Sequence, residues 1–247
     1  MLPSSVGPQT ISSGTVHLWQ FDLAISKDRV GLYRDLLSRD ENQRADRFYF
    51  DRDRIHFIAG RAAVRTILAH YLHVTPKTII FSYASNGKPE LAGGLGESGL
   101  KFNLSHSHNR ALLGVVIDSH IGVDIEFINH EFATEEIAQR FFAPGEVARL
   151  QAIPTQERAA AFFSCWTRKE AYIKAVGQGL SLPLDSFEVA FGPAVEPSLL
   201  RVETSPDEAG RWSMYSVPAV EGYAAAAIIE GKNHKLDYHE WNWTQVE

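Results

Sequence analysis

Asp124, Glu126, Glu170, Lys174 and the run Ser105-His106-Ser107-His108 are the residues of this sequence best suited to chemistry. Asp124 and Glu126 stand at i and i+2 in Ile121–Glu126, where Ile121, Val123 and Ile125 alternate with Gly122, Asp124 and Glu126. Period two puts both carboxylates on one face of a strand and the apolar residues on the other. Two like charges on one face repel, and a divalent cation would relieve them. All-oxygen ligation favours Mg²⁺, with Mn²⁺ as an alternative, over zinc. Trp166, Glu170 and Lys174 fall at i, i+4 and i+8 of Phe162–Leu182 and share one helix side, so Glu170 could supply a third oxygen. Taken alone, each group has a plainer reading: a solvated strand face, and an i, i+4 ion pair worth about 0.3–0.5 kcal/mol. His106 and His108 share a strand face and could bind zinc, but no CxxC or HExxH accompanies them. Ser105 and Ser107 lack the GxSxG of a serine hydrolase. A histidine between serines is also a plain anion-binding set, and that reading fits the basic residues best.

These groups need elements to hold them. Phe162–Leu182 reads as one helix, with Ala171, Ile173 and Val176 on its apolar stripe and Gly177 and Gly179 as its stop. Val16–Leu23 is a first strand, and Ser26 starts a short helix. Ser38-Arg39-Asp40-Glu41 is a capping-box pattern that opens another. A longer helix runs from about Asp53 to Leu72 with Arg52, Arg54, Arg61 and Arg65 as its charges. Such an arginine series is either a solvated face or a phosphate holder. Ile79–Tyr83, Phe102–Ser105 and Ala111–Ile117 read as strands, and Asn86-Gly87-Lys88-Pro89 as a turn. Glu131–Phe142 is helical, and Pro144 opens a further helix through Leu150. Phe187–Phe191, Arg201–Glu203, Trp212–Val217 and Tyr223–Ile229 suggest an antiparallel meander.

A weak internal repeat at a spacing of roughly 110 residues pairs a long helix and a small-residue strand in each half. The expected fold is therefore α+β, two similar halves in pseudo-twofold arrangement, each a small, largely antiparallel sheet packed with helices. Residues 1–14 are expected to be a flexible tail, 15–120 one half-domain and 121–247 the other, with a cleft between the halves where ligands bind. The 247 residues are 45% hydrophobic and 22% charged, an ordinary globular composition. A net charge of -6 argues against nucleic-acid binding through a basic surface. The single cysteine, Cys165, permits no internal disulfide. The first residues carry neither a basic n-region nor an apolar run, so no signal peptide or membrane span is expected, and the cytoplasm is the expected compartment.

Four motifs occur in order: Gly87-Lys88-Pro89, Phe102-Asn103-Leu104-Ser105-His106-Ser107, Gly122-Val123-Asp124-Ile125-Glu126, and Trp166-Thr167-Arg168-Lys169-Glu170-Ala171-Tyr172-Ile173-Lys174. Together, and with Gly-Leu-Ser-Leu-Pro-Leu-Asp after the last, they resemble the motif series of the 4′-phosphopantetheinyl transferases of the Sfp (surfactin-type) group. The resemblance runs from about Arg44 to Leu184. The length is similar to that of members whose single chain holds both halves, so a monomer is expected.

The resemblance implies transfer of the 4′-phosphopantetheine group of coenzyme A to a serine of an apo acyl or peptidyl carrier protein, with Mg²⁺ and release of 3′,5′-ADP. By resemblance, Asp124, Glu126 and Glu170 are the metal carboxylates, and Glu170 is also the base for the incoming serine. His106 and Lys174 correspond to phosphate contacts, and Gly87, Lys88, Pro89 and Ser105 to groups near the adenosine end. Arg44 and Arg52 are the nearest equivalents of the 3′-phosphate residues, although Glu41 and His56 stand where basic residues are expected. Lys169 matches the motif either as a coenzyme contact or as a brace. For the carrier protein an apolar patch is expected on Phe141–Leu150, with Phe142 and Val147 exposed. Two other classes compete: a CoA- or carrier-binding module without catalysis, and a metal-dependent phosphodiesterase that uses water.

Overall fold

The computed structural model describes residues 9–84, 87–205 and 207–243. Residues 1–8 of the expected tail and Asn86 of the expected turn lie outside the described residues.

The chain opens with β1 (Thr15–Asp22), the short helix α1 (Val30–Arg34) and α2 (Arg39–Ala45). The expected capping box is present at α2: the Ser38 N–H donates to Glu41 Oε2 at 3.0 Å. The long helix α3 (Asp51–Leu72) follows, then β2 (Phe81–Tyr83) and β3 (Pro89–Leu91), a small antiparallel ribbon. β4 (Leu100–Ser107), β5 (Arg110–Ile117) and β6 (Ile121–Phe127) come next. The helices α4 (Glu135–Phe141), α5 (Pro144–Ala152) and α6 (Thr155–Val176) lead to β7 (Phe187–Val189) and β8 (Leu199–Val202). One turn of helix, α7 (Glu208–Arg211), precedes β9 (Trp212–Ser216), β10 (Tyr223–Glu230) and β11 (Lys235–Glu240).

Two helix-on-sheet units result. In the first, the sheet β11-β1-β5-β4 packs Phe21, Leu113, Val115 and Phe102 against Ala59, Ala63, Val64 and Ile67 of α3. In the second, the sheet β6-β10-β9 is covered by α6, with Phe162, Ala171 and Ile173 against Met214, Ala226 and Ile228. The other faces of the two sheets meet: Val16, Leu18, Leu112 and Val116 pack on Ile121, Val123, Ile125 and Ala227. Each such side chain taken from water contributes about 1.5–3 kcal/mol. The mixed α+β class and the small sheets agree with the sequence reading.

Four local expectations change. The tail strands are no continuous meander: β7 pairs with β8, while β9 and β10 join β6. The C-terminal strand β11 leaves the second unit and pairs parallel with β1, Thr15 opposite Lys235. The helix expected from Glu131 begins at Glu135, where Thr134 Oγ1 accepts from the Ile137 N–H at 3.3 Å. The arginine series on α3 is neither a solvated face nor a phosphate holder at Arg61 and Arg65. Both are buried and pair with Glu41, Arg65 Nε to Glu41 Oε2 at 2.6 Å. Burial works against the Glu41 charge, but the two guanidiniums hold its carboxyl below the usual range. Removing one partner of such a buried set costs about 3–5 kcal/mol, because the others keep their charge without its counterion.

A second buried polar set ties α3 to β1 and β11. Trp19 Nε1 donates to the Tyr71 hydroxyl at 2.8 Å, and the same hydroxyl lies 2.7 Å from His17 Nδ1. The Tyr71 hydroxyl has one proton and two lone pairs, so it accepts from Trp19 and either donates to His17 Nδ1 or accepts from it. Burial is the main cause that lowers its pKa to about 4; His239 and Lys235 add to this and Asp237 opposes it. The unfolded imidazole, near 6.5, then binds a proton more readily than the folded one. Stability is full above pH 6.5 and falls as the pH drops from 6.5 towards 4, by at most about 3 kcal/mol. Urea denaturation of wild type and His17→Asn at pH 7.5 and 4.5 should show a smaller acid loss in the variant.

Candidate active site

The candidate groups converge where α6 crosses β6. The approach is close because residue 122 is glycine. A Cβ there would overlap the Ala171 carbonyl oxygen and lie 2.5 Å from the Ala175 nitrogen. With the two backbones in contact, Glu170 and Lys174 on α6 reach the carboxylates of β6. Gly177, at φ 73°, ends α6 just beyond them in the left-handed conformation that glycine tolerates.

Asp124 is the centre of the arrangement and is 1% exposed. Its Oδ1 accepts from Lys174 Nζ at 2.6 Å and from Ser105 Oγ at 2.7 Å. Lys174 also donates to Ser105 Oγ at 2.8 Å. Asp124 Oδ2 is buried with no partner. Glu126 carries a pKa raised to about 7, chiefly by burial and then by Asp124, with the Ser107 hydroxyl opposing the shift. Burial and Asp124 raise Glu170 as well, against Lys174. The charges of Asp124, Glu126 and Glu170 therefore oppose one another's ionisation.

A cleft of about 290 Å³ opens beside these groups, lined among others by Gly87, Lys88, Pro89, Asn103, Glu170 and Lys174. Lys88 reaches across from the β2–β3 ribbon and donates to the carbonyls of Lys174 at 2.8 Å and Ile121 at 3.2 Å. Burial is the main cause that lowers its ammonium to about 8. A second cleft of about 220 Å³ is lined by Arg52, Asp53, His56, His106, His108 and Asn109. Strand alternation sends His106 to that side and Ser105 to the Asp124 side.

Other residues singled out in the sequence have partners of their own. Lys169 is fully buried and pairs with Glu146 at 2.7 Å. It also donates to the Leu184 and Phe187 carbonyls at 2.7 and 2.6 Å, so it braces the second core. Arg44 is exposed and lies over the Phe57 ring, and the exposed Arg52 pairs with Asp53. Trp166 packs among Phe132, Phe141, Phe142 and Phe162. Phe142 is 2% exposed and tilted against Phe162 with 5.0 Å between centroids, which removes it from the expected carrier patch; Val147 is half-buried. Glu146 and Asn103 were missed. Glu146 holds the Ala143 and Val189 N–H groups, and only its place three residues after Ala143, at a helix start, hinted at that.

No three His, Cys, Asp or Glu side chains among the described residues stand close enough to enclose a metal ion as they are placed. The donor set still suits a hard divalent cation. Asp124 offers a buried, unpartnered oxygen, and Glu126 and Glu170 are carboxylates whose ionisation is costly without a positive neighbour.

The comparisons with known proteins give the family of the chain. The profile of the 4′-phosphopantetheinyl transferase superfamily matches residues 120–228, and that of the 4′-phosphopantetheinyl transferase N-terminal region matches residues 25–116. The 4′-phosphopantetheinyl transferase HetI of Nostoc sp. is 40% identical over 222 residues, 90% of either chain. The chain belongs to the 4′-phosphopantetheinyl transferases. The 4′-phosphopantetheinyl transferase Sfp of Bacillus subtilis is 33% identical over 168 residues, 68% of this chain and 72% of that one, so this transferase is of the Sfp type. Among solved structures, the Chronobacterium ammoniagenes ACPS–CoA complex covers 45% of this transferase and 95% of its own chain, at 23% identity and a TM-score of 0.34. No helix among the described residues is long and apolar enough to cross a membrane.

Proposed function

We propose that this transferase moves the 4′-phosphopantetheine group of coenzyme A to a serine hydroxyl of an apo acyl or peptidyl carrier protein, with Mg²⁺ or Mn²⁺ bound by Asp124, Glu126 and Glu170. The observation that carries the proposal is Asp124. It is a buried carboxylate bonded to Lys174, which lines the cleft, with one oxygen held by Lys174 and Ser105 and the other unpartnered. A divalent cation, when bound, would neutralise the carboxylates and the diphosphate together.

The residues of the chain do the rest. The carrier serine Oγ forms a bond to the β-phosphorus of coenzyme A, the bond from that phosphorus to the oxygen bridging to the α-phosphorus breaks, and 3′,5′-ADP leaves. Glu170 takes the serine proton; burial and Asp124 already make it a stronger base than a free carboxylate. Lys174 and His106 donate to diphosphate oxygens, and positioning with charge stabilisation lowers the barrier. Lys88, Gly87, Pro89 and Ser105 frame the coenzyme in the first cleft, and Arg52 with Arg44 is nearest the 3′-phosphate. In this reading residues 15–120 together with β11 form one wall, and the β6-β10-β9 sheet with α6 forms the other. One chain supplies both, so a monomer suffices, and the cytoplasm, where coenzyme A and carrier proteins meet, is the working compartment.

Incubation with coenzyme A, Mg²⁺ and a panel of apo carrier proteins, read by mass spectrometry, tests the proposal. The carrier should gain phosphopantetheine. Cleavage of coenzyme A with no gain would make the protein a phosphodiesterase, and binding with neither would make it a module. Within this test, Glu170→Gln at saturating Mg²⁺ should retain a rate deficit of about 10²–10⁴, the contribution of a positioned base. Full rescue by Mg²⁺ would leave Glu170 a ligand alone.

A further inference from the structure

β4 and β6 lie side by side but belong to different sheets, with no backbone ladder between them. Three alternate side chains of β4 cross the gap instead. Asn103 Oδ1 accepts from the Val123 N–H at 2.8 Å, Ser105 Oγ donates to Asp124 Oδ1 at 2.7 Å, and Ser107 Oγ accepts from the Phe127 N–H at 3.2 Å. The spacing i, i+2, i+4 puts all three on one face of β4. The contacts span β6 from Val123 to Phe127, and so bracket Asp124 and Glu126. Asn103 makes the most buried of the two backbone contacts: it is 6% exposed, whereas Ser107 is half-buried and its bond is exposed. The Val123 N–H is a donor, so the amide oxygen must face it, which fixes the orientation of the side chain.

We propose that Asn103 is a positioning residue that sets the register of β6 against β4 and thereby holds Asp124 against Lys174 and Ser105. The proposal rests on the transfer reaction above for its kinetic consequence but not for its structural one. Loss of the amide leaves a buried Val123 N–H without an acceptor at the residue next to Asp124. β6 keeps its ladder with β10 but loses its buried backbone tie to β4, and Asp124 shifts relative to Lys174 and Ser105. Asn103 also lines the cleft, so the rival reading is direct contact with the coenzyme.

Two measurements on Asn103→Ala, with Asn103→Asp as the conservative variant that keeps an acceptor oxygen, separate these readings. The first is amide hydrogen exchange on the metal-free, coenzyme-free protein. Exchange at Val123 should accelerate about tenfold or more in the Ala variant, while Phe127, held by Ser107, keeps its rate. The Asp variant should restore protection at Val123. Equal acceleration across β6, β10 and α6 would mark general destabilisation and overturn the proposal, as would unchanged exchange at Val123. The second is steady-state transfer. The Ala variant should lose about tenfold to a hundredfold in kcat at saturating coenzyme A, with KM for coenzyme A within about threefold of wild type, because displacement of a reacting group costs rate more than affinity. A raised KM with kcat intact would make Asn103 a ligand contact and overturn the proposal. If wild type transfers nothing to any carrier, the proposed function falls, and the exchange result alone decides the role of Asn103.

Discussion

Asp124→Asn should lower phosphopantetheine transfer by about three orders of magnitude or more, the loss expected when a charged group aimed at the reacting centre is removed. The substitution keeps the shape and deletes the charge. Lys174 then faces a neutral amide in place of a carboxylate, and Ser105 loses its charged acceptor. The buried oxygen now without a partner becomes an amide or stays a carbonyl, and neither serves a divalent cation as a carboxylate does. Because Asp124 is 1% exposed and tied to two elements, the fold is affected too, by about 1–3 kcal/mol for the broken pair. Rates should therefore be compared at a temperature where circular dichroism shows both proteins folded. Calorimetric titration with Mn²⁺ supplies the second reading: wild type should bind, and the variant should not at tenfold higher concentration. Transfer within tenfold of wild type would remove Asp124 from the centre of the site.

Gly122→Ala should have the largest effect on stability of any single methyl added to this chain, about 3 kcal/mol or more. The new Cβ would meet backbone of α6 at Ala171 and Ala175, which cannot rotate aside. Helix and strand must separate, and that separation withdraws Glu170 and Lys174 from Asp124. Gly114→Ala is the control. Its Cβ would meet only the side-chain methyls Ile121 Cδ1 at 2.6 Å and Val123 Cγ1 at 2.7 Å, which can turn away in part. Urea denaturation should rank Gly122→Ala well below Gly114→Ala. The folded fraction of Gly122→Ala should also have lost transfer out of proportion to its stability. Equal stabilities would mean that α6 and β6 do not approach as closely as Gly122 permits.

The residue pattern by itself determined a good deal. Period-two alternation in Ile121–Glu126 identified the face that bears Asp124 and Glu126, because a pleated strand has no other way to present them. The i, i+4 spacing of Glu170 and Lys174 put both on one side of a helix that Gly177 ends, and Ser38 with Glu41 gave a helix start. These are local rules, and the tertiary structure had only to leave them in force. The four motifs in order, Gly87-Lys88-Pro89 through Lys174, were enough to indicate the family, since each spans a few residues and their order needs no contacts.

What the tertiary structure decided is which charges meet. Glu41 lies 20 residues from Arg61 and 24 from Arg65, and no local pattern distinguishes an arginine on a wet face from one buried against a distant carboxylate. Lys169 and Glu170 are adjacent in sequence yet turn to different places. About 100° of helix separates them, so one meets Glu146 in the core and the other lines the cleft. Phe142 is apolar in either environment; only the packing of α4 and α6 buried it. The strand β11 joins β1 from the far end of the chain, and its composition carries no address. Asn103 shows the same limit most directly. A side chain can replace a missing backbone ladder only where two sheets stop just short of joining, and that gap is created by the packing of both units at once.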